Sequence, residues 1–200
     1  MTDAWRAVAE ERAALVADLE HLDEGGWREP SLCAGLSVEE VVAHLTAGAS
    51  SGPARWFAGL ARCRFDVDRM VDMRLREQLG STPEETLWRF RAVVDSRTAP
   101  SGHVDAWLGE AVVHGEDVRR PLGITHGYAP AALERVARFY VARNFTVPSK
   151  RRSAGLRLEA SDGPFAVGEG PVVFNAVQID IETATGRAVA IERISRIVDV

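Results

Sequence analysis

The sequence predicts a mainly α-helical protein, an antiparallel helix bundle with a small α/β appendage at its C-terminal end. Apolar residues recur at spacings of three, four and seven along the first three quarters of the chain. Two capping boxes and several Pro or Gly breaks divide that part into lengths typical of helices. After Pro148 the pattern changes to short alternating stretches between turns. We therefore expect a helical domain over residues 1–147 and a small α/β segment packed on it over 148–200.

The first predicted helix covers residues 4–22, where the apolar positions form one stripe, and Gly25-Gly26 is expected to end it. A loop over residues 27–35 follows. Ser37-Val38-Glu39-Glu40 is a capping box, in which the serine accepts from the backbone and the glutamate reaches back. It should start a short helix that contains His44. The apolar stripe of this helix consists of Val38, Val41, Val42 and Leu45.

Four further helical stretches complete the predicted bundle. Residues 53–79 give one or two helices, with no clear position for a break. Thr82-Pro83-Glu84-Glu85 is a second capping box and opens a helix to about Arg97. Residues 103–119 form the next helix, which Pro121-Leu122-Gly123 ends, and Pro130 begins another.

The appendage contains two predicted short strands and an ambiguous tail. Residues 156–160 alternate with period two, and residues 165–167 form a second strand after a turn. Residues 172–185 are compatible with either strand or helix. Residues 187–197 favour a helix.

Composition excludes several functional classes. The formal net charge is −5, which disfavours binding to nucleic acid or to anionic lipid, and Lys150-Arg151-Arg152 is expected to be a solvated connector. No apolar run approaches the ~20 residues of a membrane span, and the N-terminus lacks a signal-peptide pattern. Two cysteines, Cys33 and Cys63, do not make a disulfide framework. We expect a cytoplasmic protein in which both thiols are small buried apolar groups.

Three residues of the bundle could bind a metal ion. Glu110 and His114 are four residues apart on one predicted helix and so share a face, and His44 lies on another helix. Helical geometry places each of them at the edge of an apolar stripe, where they would flank a cleft. Three protein ligands leave one coordination position open, as in catalytic zinc sites. The alternative is a surface Glu–His pair and an unrelated polar histidine.

The flanking residues resemble a known family. Trp27, Pro30-Ser31-Leu32-Cys33-Ala34-Gly35 and Val38-x-x-Val41-Val42-Ala43-His44-Leu45 resemble the opening of the mycothiol-dependent maleylpyruvate isomerase family. The stretch from Leu108 to Gly123 resembles its second signature closely. That family belongs to the DinB-like superfamily of four-helix metalloproteins, and the resemblance covers most of residues 5–145. Leu36 departs from it, because the family often has tryptophan there.

The resemblance implies a metal site and a cofactor. His44, Glu110 and His114 match the family's metal ligands, for which zinc is expected first, with nickel or iron as alternatives. The thiol cofactor would be mycothiol. A metal-bound thiolate would add to a small electrophilic substrate, with isomerase and S-transferase outcomes both open, and hydrolysis by metal-bound water is a third outcome. The expected partners are therefore a low-molecular-weight thiol and a small electrophile, and a homodimer is left open.

Two further residues have alternative predicted roles. His103 is a second-layer group or acid/base, or else an exposed helix start. Asp117 either orients a metal-binding imidazole or pairs with Arg120. The whole protein also has alternatives to an enzyme, namely a non-catalytic metal-binding or sensor bundle and a structural bundle without metal. No catalytic base and no mycothiol-binding residue can be assigned from the sequence.

Overall fold

The computed structural model describes residues 4–145, 147–160, 164–170, 172–181 and 188–198. This part of the chain is mainly helical, as predicted. Its helices are α1 Ala4–Leu19, α2 Glu24–Arg28, α3 Val38–Ser50, α4 Pro53–Arg62, α5 Val67–Arg76, α6 Pro83–Arg91, α7 Val104–Arg119, α8 Pro130–Ala142 and α9 Ser149–Arg152. The strands are β1 Leu158–Glu159, β2 Ala166–Val167, β3 Val172–Ile181 and β4 Ala188–Val198. None of the helices described is both long enough and apolar enough to cross a bilayer.

Contacts divide the chain into two compact units, the first ending at Ala132 and the second beginning at Leu133. The predicted division into domains at residues 147 and 148 stays a prediction. In the first unit, α1 packs against α6 and α7, and α3 packs against the same two helices and against α5. These contacts enclose an apolar core, because each helix turns its apolar stripe inward. The fully buried side chains of this core include Leu15, Leu19, Val38, Val41, Val42, Phe90 and Val118.

Helix α3 begins where the sequence predicts. The backbone N–H of Glu40 donates to Ser37 Oγ at 3.3 Å, and Glu40 Oε2 accepts from the backbone N–H of Ser37 at 2.9 Å. Both halves of the capping box are therefore formed. The four residues of the predicted apolar stripe are all buried. The capping box sets where α3 begins, and the buried apolar stripe sets which face of α3 turns toward the core and α7.

The second capping box is only half formed. Thr82 Oγ1 accepts from the backbone N–H of Glu85, as predicted. The Glu85 carboxylate, however, accepts from the backbone N–H of Ser81 at 2.7 Å. Helix α6 ends at Arg91 and not near Arg97. The guanidinium of Arg12 binds the carbonyl groups beyond that end, at Val93 and Ser96, in tighter turns that follow the helix.

Two other helix boundaries differ from the prediction. Gly25-Gly26 does not end α1, which stops at Leu19, but lies inside α2, because the Asp23 side chain caps that short helix by accepting from the backbone of Gly26. The break within residues 53–79 falls at Arg64 and Phe65, with φ values of 57° and 65°. These are left-handed conformations that glycine usually occupies, so the sequence carries no signal for this break.

Ion pairs and hydrogen bonds join α7 to α1 and to the segment that follows α7. The side chain of Arg119 is completely buried, and its Nε donates to Asp18 Oδ2 at 2.7 Å. Its Nη1 donates to the Tyr128 hydroxyl at 3.0 Å, and that hydroxyl donates to Glu116 Oε1 at 2.7 Å. A buried charge needs such partners, so this network fixes how α7 lies against α1.

Among its described residues, the second unit contains most of α8, the exposed basic helix α9, and two antiparallel strand pairs. The predicted strands pair as β1 with β2, Leu158 opposite Val167. Strands β3 and β4 pair from Val172 opposite Val198 to Ile181 opposite Ala188. The helix predicted over residues 187–197 is therefore wrong where these residues are described. Isoleucines three residues apart have the spacing of a helical stripe, but the sequence is rich in β-branched residues and pairs with β3 along its length. The ambiguous stretch is strand to Ile181, and residues 182–187 lie outside the described residues.

Candidate metal centre

The three predicted metal ligands converge between α3 and α7. Glu110 Oε2 lies 3.6 Å from His44 Nε2 and 3.3 Å from His114 Nε2. The two imidazole rings meet edge to face, with centroids 5.1 Å apart. One potential ligand atom of each side chain lies within 4.8 Å of the other two. Helical spacing in the sequence predicts that Glu110 and His114 share one face of α7. The packing of α3 against α7 then brings His44 next to them.

The site lies at the edge of the core. Its neighbours on α3, Ala43 and Leu45, are buried, whereas the His44, Glu110 and His114 side chains are 26%, 22% and 21% exposed. This agrees with the predicted position at the edges of the two apolar stripes. A ligand could therefore approach from solvent without any opening of the helices.

The separations fit a single divalent metal ion. Ligand atoms ~2.0–2.2 Å from a tetrahedral zinc lie ~3.3–3.6 Å from one another. The two distances from Glu110 Oε2, 3.6 and 3.3 Å, fall in that range. Two imidazole nitrogens and a carboxylate suit zinc, iron and nickel better than magnesium or calcium. His44, Glu110 and His114 are therefore a chemically suitable three-ligand set.

The electrostatics keep Glu110 ready to bind a cation. Burial raises the pKa of Glu110, but hydrogen bonds and charge interactions with His114 and His44 outweigh it and lower the pKa to about 2. Burial lowers the pKa of His114, yet the carboxylates of Glu110 and Asp117 outweigh it and raise that pKa. Glu110 is thus an ionised carboxylate at neutral pH, facing two imidazoles.

Asp117 is the second partner of His114. Its Oδ2 lies 2.9 Å from His114 Nδ1, on the side of the ring away from Glu110. Of the two partners predicted for Asp117, the structure has the imidazole, because Arg120 pairs instead with Glu116 at 2.8 Å. A carboxylate that accepts from Nδ1–H leaves Nε2 free to bind a metal, as metal-binding histidines usually require.

Cys33 is the residue that the sequence did not predict at this site. Its Sγ donates to Asp117 Oδ2 at 3.0 Å and lies 3.4 Å from His114 Nδ1. Burial first, and then Asp117, raise the pKa of the thiol to about 12, so it is protonated at neutral pH. The one clue in the sequence was position, because the loop that contains Cys33 directly precedes the capping box of α3. Cys63, in contrast, is buried as predicted.

His103 does not join the centre. It is the exposed N-cap residue of α7, the second of its two predicted positions. Within the described residues, the groups of side chains able to share a metal ion are His44, Glu110 and His114, and Cys33, His114 and Asp117. His114 therefore belongs to both groups.

Part of the chain matches a family of known proteins. Residues 8–99 match the family described as the mycothiol maleylpyruvate isomerase N-terminal domain. The match covers slightly less than half of the chain and supports a relationship to that family over these residues. The match includes His44 but ends before α7, so Glu110 and His114 are candidate ligands on their geometry alone. No curated protein and no solved structure matches the chain.

Proposed function

We propose that the protein is a mycothiol-dependent metalloenzyme in which the thiol adds to a small electrophilic substrate, as an isomerase or an S-transferase. The convergence of His44, Glu110 and His114 on one partly exposed position carries the proposal. The family match over residues 8–99, which include His44, favours mycothiol as the thiol. The partners are then small molecules, a low-molecular-weight thiol and an electrophile.

We further propose that α1, α3, α6 and α7 are the four helices of a DinB-like bundle. Each of these helices packs against two others of the set, α1 and α3 both against α6 and α7, which closes a ring of four. The candidate ligands lie on α3 and α7, two neighbouring members of that ring. A cytoplasmic location is also proposed, since both cysteines are free thiols.

His44, Glu110 and His114 would hold the metal, for which zinc is the first choice and nickel or iron are alternatives. When bound, a divalent metal supplies Lewis acidity that favours the ionised form of a thiol at neutral pH. Three protein ligands leave room for one further ligand. Asp117 accepts from Nδ1 of His114 and so keeps that ring in one orientation. The exposed side of the site admits the thiol and the electrophile.

The proposed chemistry balances without any other reactant. The thiol gives up its proton, its sulfur forms a bond to one carbon of a cis double bond conjugated to a carbonyl group, and the π electron pair moves toward that carbonyl. Rotation about the resulting single bond is free. Loss of the same thiol then restores a double bond in the trans form, which is an isomerisation. An S-transferase would instead return the proton that the thiol gave up to the carbon next to the new C–S bond and release the thioether.

Metal content and turnover test this proposal together. The purified protein should bind about one equivalent of zinc, nickel or iron, and with mycothiol and maleylpyruvate as the probe electrophile it should give the trans isomer or a thioether. His44→Ala should lose both properties. His21→Ala is the matched control, because His21 is an exposed histidine outside both groups of metal-competent side chains.

The outcomes separate the alternatives. A wild-type protein that binds none of the three metals, even after reconstitution, contradicts the metalloenzyme and leaves a structural bundle. A protein that binds about one equivalent but gives no product with any thiol and electrophile pair is the non-catalytic metal-binding or sensor module. Turnover that is unchanged in His44→Ala excludes this site as the place of catalysis.

A further inference from the structure

The loop that carries Cys33 is held in place from two sides. Within the loop, the Ser31 backbone N–H and hydroxyl both donate to the Leu36 carbonyl, at 3.0 and 2.8 Å, and the Cys33 N–H donates to Ser31 Oγ at 3.1 Å. Toward α7, the Leu32 N–H donates to the carbonyl of Asp117 at 3.0 Å. The backbone of this loop therefore fixes the Cys33 side chain beside Asp117.

The thiol of Cys33 and the imidazole of His114 share one acceptor. Asp117 Oδ2 accepts from Cys33 Sγ at 3.0 Å and lies 2.9 Å from His114 Nδ1. Because the thiol comes from the loop and the other two residues come from α7, the hydrogen bond from Cys33 is a restraint that α7 does not itself supply. A carboxylate with a second donor has fewer orientations open to it than one held by the imidazole alone.

The distances distinguish this arrangement from a second metal site. A tetrahedral zinc with one sulfur ligand at ~2.3 Å and nitrogen or oxygen ligands at ~2.0–2.2 Å would separate sulfur from the other ligand atoms by ~3.5 Å. The Sγ–Oδ2 and Nδ1–Oδ2 distances of 3.0 and 2.9 Å are shorter and match hydrogen bonds, whereas the Sγ–Nδ1 distance of 3.4 Å fits either arrangement. Two of the three distances therefore favour a hydrogen-bonded relay through Asp117 over a shared metal ion.

We propose that Cys33 is a positioning residue of the metal centre. Its thiol holds the Asp117 carboxylate, which in turn holds Nδ1–H of His114 and directs Nε2 toward the metal. This inference rests on the proposed function, because the relay has a catalytic purpose only if His114 binds a metal. It assigns to Cys33 a role as hydrogen-bond donor and not as nucleophile or ligand.

A double-mutant cycle on zinc affinity tests the relay. Removing an outer partner of a metal-binding histidine typically weakens metal binding 10–100-fold, so we expect that loss for Asp117→Ala and a smaller one, about 3–10-fold, for Cys33→Ala. In the Asp117→Ala background, Cys33→Ala should change the affinity less than about twofold, since its acceptor is gone. Cys33→Ser, which keeps a donor, should recover most of the affinity. Cys63→Ala is the control, because its Sγ faces Met73 and not the site.

Cobalt substitution and unfolding of the metal-free protein complete the test. Wild-type cobalt protein without added thiol should show no thiolate-to-cobalt charge-transfer band. A band that Cys33→Ala abolishes would overturn the proposal, because the sulfur would then be a ligand. Zinc affinity that is unchanged in Cys33→Ala, or an equal loss in both backgrounds, would also overturn it.

The metal-free cycle separates this proposal from the proposed function. Cys33→Ala and Asp117→Ala each remove the same hydrogen bond. The double variant should therefore change the unfolding equilibrium constant by less than the product of the two single fold-changes. If the double variant changes it by less than that product and the wild type binds no metal, the hydrogen bond is confirmed, but the proposed function and the positioning role are both contradicted. If the wild type binds zinc but the fold-change of the double variant equals the product of the two single fold-changes, the positioning role alone is overturned.

Discussion

At the scale of single residues, His114 presents its two ring nitrogens to two different carboxylates. Nε2 faces Glu110 and Nδ1 faces Asp117, at 3.3 and 2.9 Å. Helical spacing makes both contacts predictable, because positions three and four residues from His114 lie one turn away on the same side. The contact with Cys33 was not predictable, since it depends on how the loop between α2 and α3 folds onto α7.

The pH dependence of the metal-free protein follows from these contacts. The lowered pKa of Glu110 contributes stability that is present above its ordinary value of 4.5 and is lost as the pH falls toward about 2. The raised pKa of His114 contributes stability that is complete below its ordinary value of 6.5 and is lost as the pH rises through the raised value. The pair should therefore stabilise the metal-free fold most between about pH 4.5 and 6.5.

Urea unfolding of metal-free wild type and Glu110→Gln across this range checks the prediction. The difference in unfolding free energy should be largest at about pH 5–6 and smaller on either side. With zinc present the difference should instead grow above about pH 6.5, because the metal binds neutral imidazole. A difference that does not vary with pH in the metal-free proteins would show that Glu110 and His114 do not interact.

At the scale of secondary structure, prediction succeeded where two signals agreed. Helix α3 has both a capping box and a complete apolar stripe, and α8 begins at Pro130 as predicted. Prediction failed where a tertiary contact decided the boundary. Arg12 binds the carbonyl groups after α6, and left-handed Arg64 and Phe65 separate α4 from α5 without glycine. In β4, pairing along the whole of β3 outweighs a helix-like spacing of isoleucines.

The capping box of α3 makes a testable contribution to stability. Ser37→Ala removes the acceptor for the Glu40 backbone N–H and should lower the unfolding free energy by about 1 kcal/mol. Ser50→Ala on the same helix is the matched control, because the Ser50 hydroxyl donates to the Thr46 carbonyl and caps nothing. Its effect should stay within about 0.5 kcal/mol in urea denaturation. Equal losses in the two variants would contradict the assigned role of the cap.

At the scale of the whole molecule, the site depends on how α7 lies against α1 and α3. Small residues, Ala111 and Gly115, are buried on α7, and Arg119 joins α7 to α1 through Asp18. This network lies on α7 within two turns of His114 but makes no contact with the candidate ligands in the hydrogen bonds described. Its role is therefore to stabilise the helix that carries two of the three ligands.

Arg119→Ala should destabilise the protein far more than a surface change beside it. The substitution leaves a cavity and removes a completely buried partner of Asp18, which is itself partly exposed, so we expect a loss of about 3 kcal/mol. Arg120→Ala is the control, because Arg120 is exposed and its pair with Glu116 contributes at most about 1 kcal/mol. Urea unfolding measures both. A loss in Arg119→Ala no larger than that in Arg120→Ala would contradict the structural role of the buried network.

Two histidines and one glutamate, His44, His114 and Glu110, should together bind one metal ion. X-ray absorption at the zinc edge of protein loaded with one equivalent, without added thiol, tests it most directly. His44, Glu110 and His114 predict two imidazole nitrogens and a carboxylate oxygen at ~2.0–2.2 Å, no sulfur at ~2.3 Å, and loss of one imidazole in His44→Ala. A sulfur scatterer in the wild type, or a spectrum that His44→Ala leaves unchanged, would contradict the account.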